Sequence, residues 1–252
     1  MGGCMITVLC CRGIGEDRGV NMLTNTTQLL DPARFVVKQV PWEASYGPVP
    51  DPGGSAFDKA LSEGRTLLLR MIAEDPNPVV LLGYSGGAAL AGNVAAEVGR
   101  GQHPALDVRG VGLIADPLRP ASPDLPGWGI AGQRPITGMP VWQIADPLDV
   151  ICCCPGNSPL RTFADQSAAF SLADPAAWVA DLLDRLRTRR WQAVILNWWR
   201  PWTVWQQYSE AIDDVNGYLF RGDHTSYWAR LAPGTNRTYS ELLADRVGSL
   251  SD

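Results

Sequence analysis

The sequence predicts an open α/β fold: a five-stranded, doubly wound parallel sheet, then a helical block, then a short return to the sheet. Three observations predict it. Short apolar, β-branched runs alternate with helical patterns as far as Ala145, a glycine-framed serine stands where the third run meets a helical pattern, and the strand signal vanishes between Pro159 and Arg221. Alternation of this kind produces parallel strands, because each crossover has to travel back along one face of the sheet.

The five runs are Met5–Cys11, Arg34–Val40, Pro78–Tyr84, Val108–Ala115 and Met139–Ala145, all continuous enough to be buried on both faces. Helical patterns lie between them near Asp17–Leu30, Ser55–Glu74 and Gly86–Val98. Such a set suits a flavodoxin-like strand order, with ligands bound at the carboxyl ends of the strands. After Pro159 helical patterns take over, broken at Asp174-Pro175 and Arg200-Pro201, and this block holds Trp178, Trp191, Trp198, Trp199, Trp202 and Trp205. A last helix near Tyr239 to Leu250 packs back on the sheet. The expected division is 1–158 for the α/β core, 159–221 for a helical Trp-rich insertion and 222–252 for the return to the core.

Composition narrows the function. The 252 residues suffice for one sizeable core. The net charge of -5 argues against nucleic acid as a partner, since phosphate-tracking proteins carry a basic stripe. No apolar run is long enough to span a bilayer, and Met5–Cys11 lacks the cationic flank of a secretory signal, so neither leader nor integral membrane segment is expected. The cysteines cluster as Cys4, Cys10-Cys11 and Cys152-Cys153-Cys154, which is neither a spaced disulfide framework nor a zinc pattern. They are expected as small buried hydrophobes, with no metal and no organic cofactor.

Val79-Val80-Leu81-Leu82 runs into Gly83-Tyr84-Ser85-Gly86-Gly87 and on into Ala88-Ala89-Leu90-Ala91-Gly92. This is a G-x-S-x-G elbow with strand before and helix after, the context that the motif requires. A tight turn that lifts the serine hydroxyl clear of the sheet needs glycine two residues either side, where a Cβ would strike the neighbouring strand or helix. The helix starting at Gly86 aims its free N–H groups at charge developing on an attacked carbonyl. Ser85 is the expected nucleophile.

Only His103 and His224 can supply the general base. His103 follows about 14 helical residues, roughly 20 Å from Ser85, and belongs to the opposite end of the sheet. His224, in Gly222-Asp223-His224-Thr225-Ser226, occupies a loop that returns to the nucleophile. Two carboxylates follow the fifth strand, Asp146 and Asp149. The fourth and fifth strands end in the same words, Ile114-Ala115-Asp116-Pro117-Leu118 and Ile144-Ala145-Asp146-Pro147-Leu148, so Asp-Pro is first a turn device. Asp149 is therefore the preferred acid and Asp146 the second choice.

Gly86 N–H is one expected oxyanion donor. The other comes from the loop after the first strand, Arg12-Gly13-Ile14-Gly15-Glu16, through Gly13 or Ile14. G-x-G-x-x-G is not completed there, which removes a dinucleotide reading. Trp42 and Tyr46 follow the second strand and either line the cleft or pack in the core. In the insertion, Trp198 and Trp202 either hold a lipid tail or pack on the sheet.

Together these residues resemble the cutinase-like serine esterases of the α/β-hydrolase fold, and most of all the lysin B family of mycobacteriophages. The similarity lies in Gly83-Tyr84-Ser85-Gly86-Gly87-Ala88, in Arg12-Gly13-x-Gly15-Glu16, in the Pro41-Trp42-Glu43-Ala44-Ser45-Tyr46-Gly47 loop and in Asp149-Val150-Ile151-Cys152. There are two departures. Val141-Trp142-Gln143 stands where cutinases place a cysteine partner for the one after the acid, and Ile14 stands where lysin B proteins usually have threonine. The resemblance implies hydrolysis of the ester between mycolic acids and arabinogalactan, by a protein made in the host cytoplasm and acting at the cell envelope as a phage infection ends. It implies a lipid-ester substrate and no required protein partner. Acyl transfer between lipids and a non-catalytic lipid-binding role are the alternatives.

Overall fold

The computed structural model describes residues 5–45, 55, 57–158, 160–161, 213–214, 216–217 and 221–250. Five strands form where the apolar runs stand: β1 Ile6–Cys11, β2 Phe35–Gln39, β3 Val79–Tyr84, β4 Val108–Ile114 and β5 Val141–Ile144. All pair in parallel, in the order β2-β1-β3-β4-β5. Alternate side chains divide between two cores, as strands buried on both faces require. Leu9, Cys11, Val79, Leu81, Val111 and Leu113 meet α2 (Phe57–Glu74) and α3 (Gly86–Gly99) on one face. Val8, Cys10, Val80, Leu82 and Ile114 meet α4 (Tyr239–Gly248) on the other. The helix α4 is held by a capping box, with Glu241 N–H donating to Thr238 Oγ1 and Thr238 N–H donating to Glu241 Oε2.

The helix expected over Asp17–Leu30 shrinks to α1, Thr24–Thr27. Local side chains take the N–H groups that a helix would need. Asp17 Oδ1 accepts from Gly19 and Val20, Asn21 Oδ1 from Leu23, and Glu16 Oε1 from Met22. The Trp-rich block of 159–221, Trp198 and Trp202 included, lies outside the described residues apart from a few positions at its ends, as does Tyr46. Among the described residues no helix is long and apolar enough to cross a membrane.

The strand order reverses between β1 and β3, and Cys11 pairs with Gly83 at the carboxyl end of that pair. The loop after β1 and the turn after β3 therefore emerge side by side, at the topological switch point where open α/β sheets bind ligands.

Candidate active site

Ser85 sits at the apex of the β3–α3 turn with φ 54 and ψ -119, outside the regions an L-residue prefers. The flanking glycines make the turn possible. A Cβ on Gly83 would come within 2.5 Å of Gly87 O, and one on Gly87 within 2.0 Å of Cys11 O, so turn, helix and β1 touch through backbone alone. The turn holds the hydroxyl at the positive end of α3, whose first N–H, on Gly86, lies outside the helical ladder.

His224 Nε2 is 2.9 Å from Ser85 Oγ, and His224 Nδ1 is 2.9 Å from Asp149 Oδ2. All three side chains are buried. With its proton on Nδ1 facing the carboxylate, the imidazole presents a lone pair to the serine hydroxyl. Asp149 is fixed in turn, Oδ1 accepting Ile151 N–H at 3.0 Å and Oδ2 also accepting the Tyr227 phenol at 2.7 Å. Asp146, the second choice for the acid, is used elsewhere: Oδ1 accepts Leu148 N–H and Oδ2 accepts Arg230 Nη1 at 2.6 Å. His103 lies beyond the carboxyl end of α3 and contacts Glu97.

Three residues that the sequence did not single out hold this arrangement. Tyr84 donates its phenol to the His224 carbonyl at 2.8 Å and stacks on the imidazole, with centroids 5.2 Å apart. Tyr227, three residues beyond His224, donates to Asp149 and accepts Asp146 N–H at 3.1 Å; burial, then the Asp149 charge, push its phenol well above its ordinary pKa, so it stays a donor. Arg230 joins Asp146 to Asp223 Oδ1 at 2.8 Å, tying the loop of the acid to the loop of the histidine. Tyr84 carried a signal in its place inside the elbow. The other two carried none, because their partners lie 78 and 84 residues away in sequence.

The structure separates the two loop candidates for the second oxyanion donor. Gly13 N–H is occupied, donating to Glu16 Oε2 at 2.7 Å, so the expectation for Gly13 is corrected. Gly15 N–H donates to Ala44 O, whereas Ile14 N–H has no hydrogen-bond partner among the described residues. Ile14 also covers Gly86, where an added Cβ would come within 2.7 Å of Ile14 Cδ1. Of the two places expected for Trp42 the structure has the core and not the cleft: the residue is 1% exposed and packs beneath α2.

Cys10, Cys11, Cys152, Cys153 and Cys154 are buried free thiols, with burial pushing Cys10 up to about 12. Among the described residues no group of three or more His, Cys, Asp or Glu is arranged to hold a metal ion.

No protein-family model matches the chain. A carboxylesterase Culp6 homolog from Corynebacterium glutamicum is 30% identical over 118 residues, which span 43% of this chain and only 38% of that relative. Lysin B from Mycobacteriophage D29 superposes with a TM-score of 0.51 at 16% identity, covering 98% of this chain and 99% of that one. The catalytic core domain of acetyl xylan esterase from Trichoderma reesei gives 0.44 at 16% identity over 72% of this chain and 99% of its own. The chain thus shares the fold of lysin B from Mycobacteriophage D29.

Proposed function

We propose that this chain is a serine hydrolase of carboxylic esters whose substrate is the ester between mycolic acids and arabinogalactan in the mycobacterial envelope. One observation carries the reading: the continuous relay from Asp149 Oδ2 through His224 to Ser85 Oγ, two contacts of 2.9 Å ending at the elbow serine. His224 Nε2 takes the hydroxyl proton as Ser85 Oγ attacks the ester carbonyl, and the N–H groups of Gly86 and Ile14 receive the tetrahedral oxyanion. His224 then gives the proton to the departing sugar oxygen, which leaves the acyl chain on Ser85. Water, deprotonated by His224, releases the acid and restores the serine. Asp149 keeps the imidazole in the needed tautomer and offsets the charge of the imidazolium.

Support for the envelope ester comes from the lysin B resemblance of the elbow, the Arg12-Gly13-x-Gly15-Glu16 opening and the acid motif, together with the shared fold. On this reading the protein acts at the cell envelope of the phage's host. Incubation with purified mycolyl-arabinogalactan releases free mycolic acid, and Ser85→Ala brings that release, and turnover of p-nitrophenyl butyrate, to background. Turnover that survives Ser85→Ala in folded protein overturns the mechanism. Hydrolysis of the small ester without release of mycolic acid overturns the substrate and leaves the mechanism standing.

A further inference from the structure

Glu16 is a half-buried carboxylate that no step of this reaction uses. Its Oε2 accepts Gly13 N–H at 2.7 Å, its Oε1 accepts Met22 N–H at 2.8 Å, and its own carbonyl accepts Arg12 Nε at 2.9 Å. One side chain therefore ties together both ends of the segment after β1. Burial raises its carboxyl above the usual range, against the pull of the two N–H groups, so holding an acceptor there costs free energy.

The placement has a consequence for Ile14. Gly13 N–H is pinned by Glu16 on one side and Gly15 N–H by Ala44 O at 3.2 Å on the other, so the intervening peptide has little freedom to rotate. Its N–H, on Ile14, is the one left without a partner among the described residues, and the Ile14 side chain lies over Gly86. Gly13 is pressed close besides, since a Cβ there would come within 2.8 Å of the Tyr84 ring. An oxyanion donor has to be held in place before charge appears, because rotating it into place during the reaction would cost what it contributes.

We infer that Glu16 is a positioning residue of the oxyanion hole: by holding Gly13 N–H and Met22 N–H it keeps the Ile14 N–H aimed at the oxygen of the attacked carbonyl. It acts through that N–H and touches no substrate atom. The inference rests on the ester-hydrolase reading of Ser85.

Glu16→Gln preserves length but replaces one acceptor oxygen by an amide NH2 that faces a backbone N–H. The expected result is a loss of kcat on p-nitrophenyl butyrate on the order of 10²-fold with KM within about twofold, and a matching rise in the inhibition constant of a trifluoromethyl ketone. A folded Glu16→Gln enzyme with unchanged kcat overturns the inference. So does a loss carried by KM with inhibitor affinity unchanged, which would leave Glu16 a structural staple. If Glu16→Gln does not fold, Glu16→Asp, which keeps both acceptors and withdraws them by one methylene, is read for the same split. Ser85→Ala is measured beside it: residual turnover there overturns the esterase reading itself, whereas an inactive Ser85→Ala with an unaffected Glu16 variant overturns only the role of Glu16.

Discussion

The Tyr227 phenol and the His224 imidazole converge on one oxygen, Asp149 Oδ2, at 2.7 and 2.9 Å. Two donors on one carboxylate oxygen divide its negative charge, so the phenol weakens the hold of Asp149 on a protonated His224. Tyr227→Phe removes that competition. The Asp149–His224–Ser85 relay remains, and kcat on p-nitrophenyl butyrate stays within about tenfold of the parent. The variant also loses about 1–3 kcal/mol of stability, because the buried Asp146 N–H is left without its acceptor.

The two carboxylates after β5 are separated by their partners, and single substitutions separate them in function. Asp149→Asn presents an amide to His224 Nδ1 and favours the tautomer that cannot accept the serine proton, so kcat falls on the order of 10⁴-fold with the fold intact. Asp146→Asn leaves that relay in place. It takes one of the two charge partners from Arg230, leaving Asp223, and is expected to lower thermal stability by a few degrees while kcat stays within about tenfold. Equal loss of kcat in the two variants would contradict this division of roles.

Glycines of the elbow differ in what surrounds them, and alanine at each has a different expected outcome. At Gly83 and Gly87 the added Cβ meets backbone atoms at 2.5 and 2.0 Å, which cannot withdraw without moving α3 or β1. Gly83→Ala and Gly87→Ala should cost about 3 kcal/mol or more, seen as a thermal midpoint lower by roughly 10 °C or as insoluble protein. At Gly86 the obstacle is the end of the Ile14 side chain, at 2.7 Å, which can rotate away. Gly86→Ala should melt within a few degrees of the parent and lose kcat, since the displaced residue carries the second donor.

Much of this was legible in the sequence, and the reasons differ by element. Each observed strand falls inside its expected run, but burial at every residue holds only for the central β1 and β3; at the sheet edges β2 exposes Val37 and Lys38 and β5 is half-buried, because an edge strand is covered less completely. The elbow was legible because its glycines answer to backbone contacts that accept no other residue. The echoed Asp-Pro turns share more than their sequence. Asp116 and Asp146 each accept the N–H two residues on at 3.0 Å and each bind an arginine at 2.6 Å, Arg134 and Arg230. The third residue after each is where they diverge: Arg119 donates to the Cys152 carbonyl, while Asp149 meets His224. The helix expected over Asp17–Leu30 is cut short because apolar spacing does not reveal that Glu16, Asp17 and Asn21 capture the local N–H groups. Trp42 was ambiguous because an aromatic after a strand suits a cleft wall and a core equally.

At the far end of α3, Glu97 receives Arg65 through Nε at 2.6 Å and Nη2 at 2.7 Å, and His103 Nε2 at 2.9 Å. The Arg65 hydrogen bonds, more than any other contact, hold the Glu97 carboxyl below its ordinary value. A carboxylate depressed in the folded state stabilises it fully above the unfolded pKa, about 4.3, and loses that contribution as pH falls through the lower folded value. The Arg65 side chain is 42% exposed, so solvent screening limits the gain to no more than about 1 kcal/mol. Glu97→Gln should therefore melt about 2–4 °C below the parent at pH 7, with the gap closing as pH drops below 4. Because Glu97 is remote from Ser85, esterase activity at 25 °C should be unchanged. A melting gap that persists undiminished in acid would mean that packing of the side chain, and not its charge, joins α2 to α3.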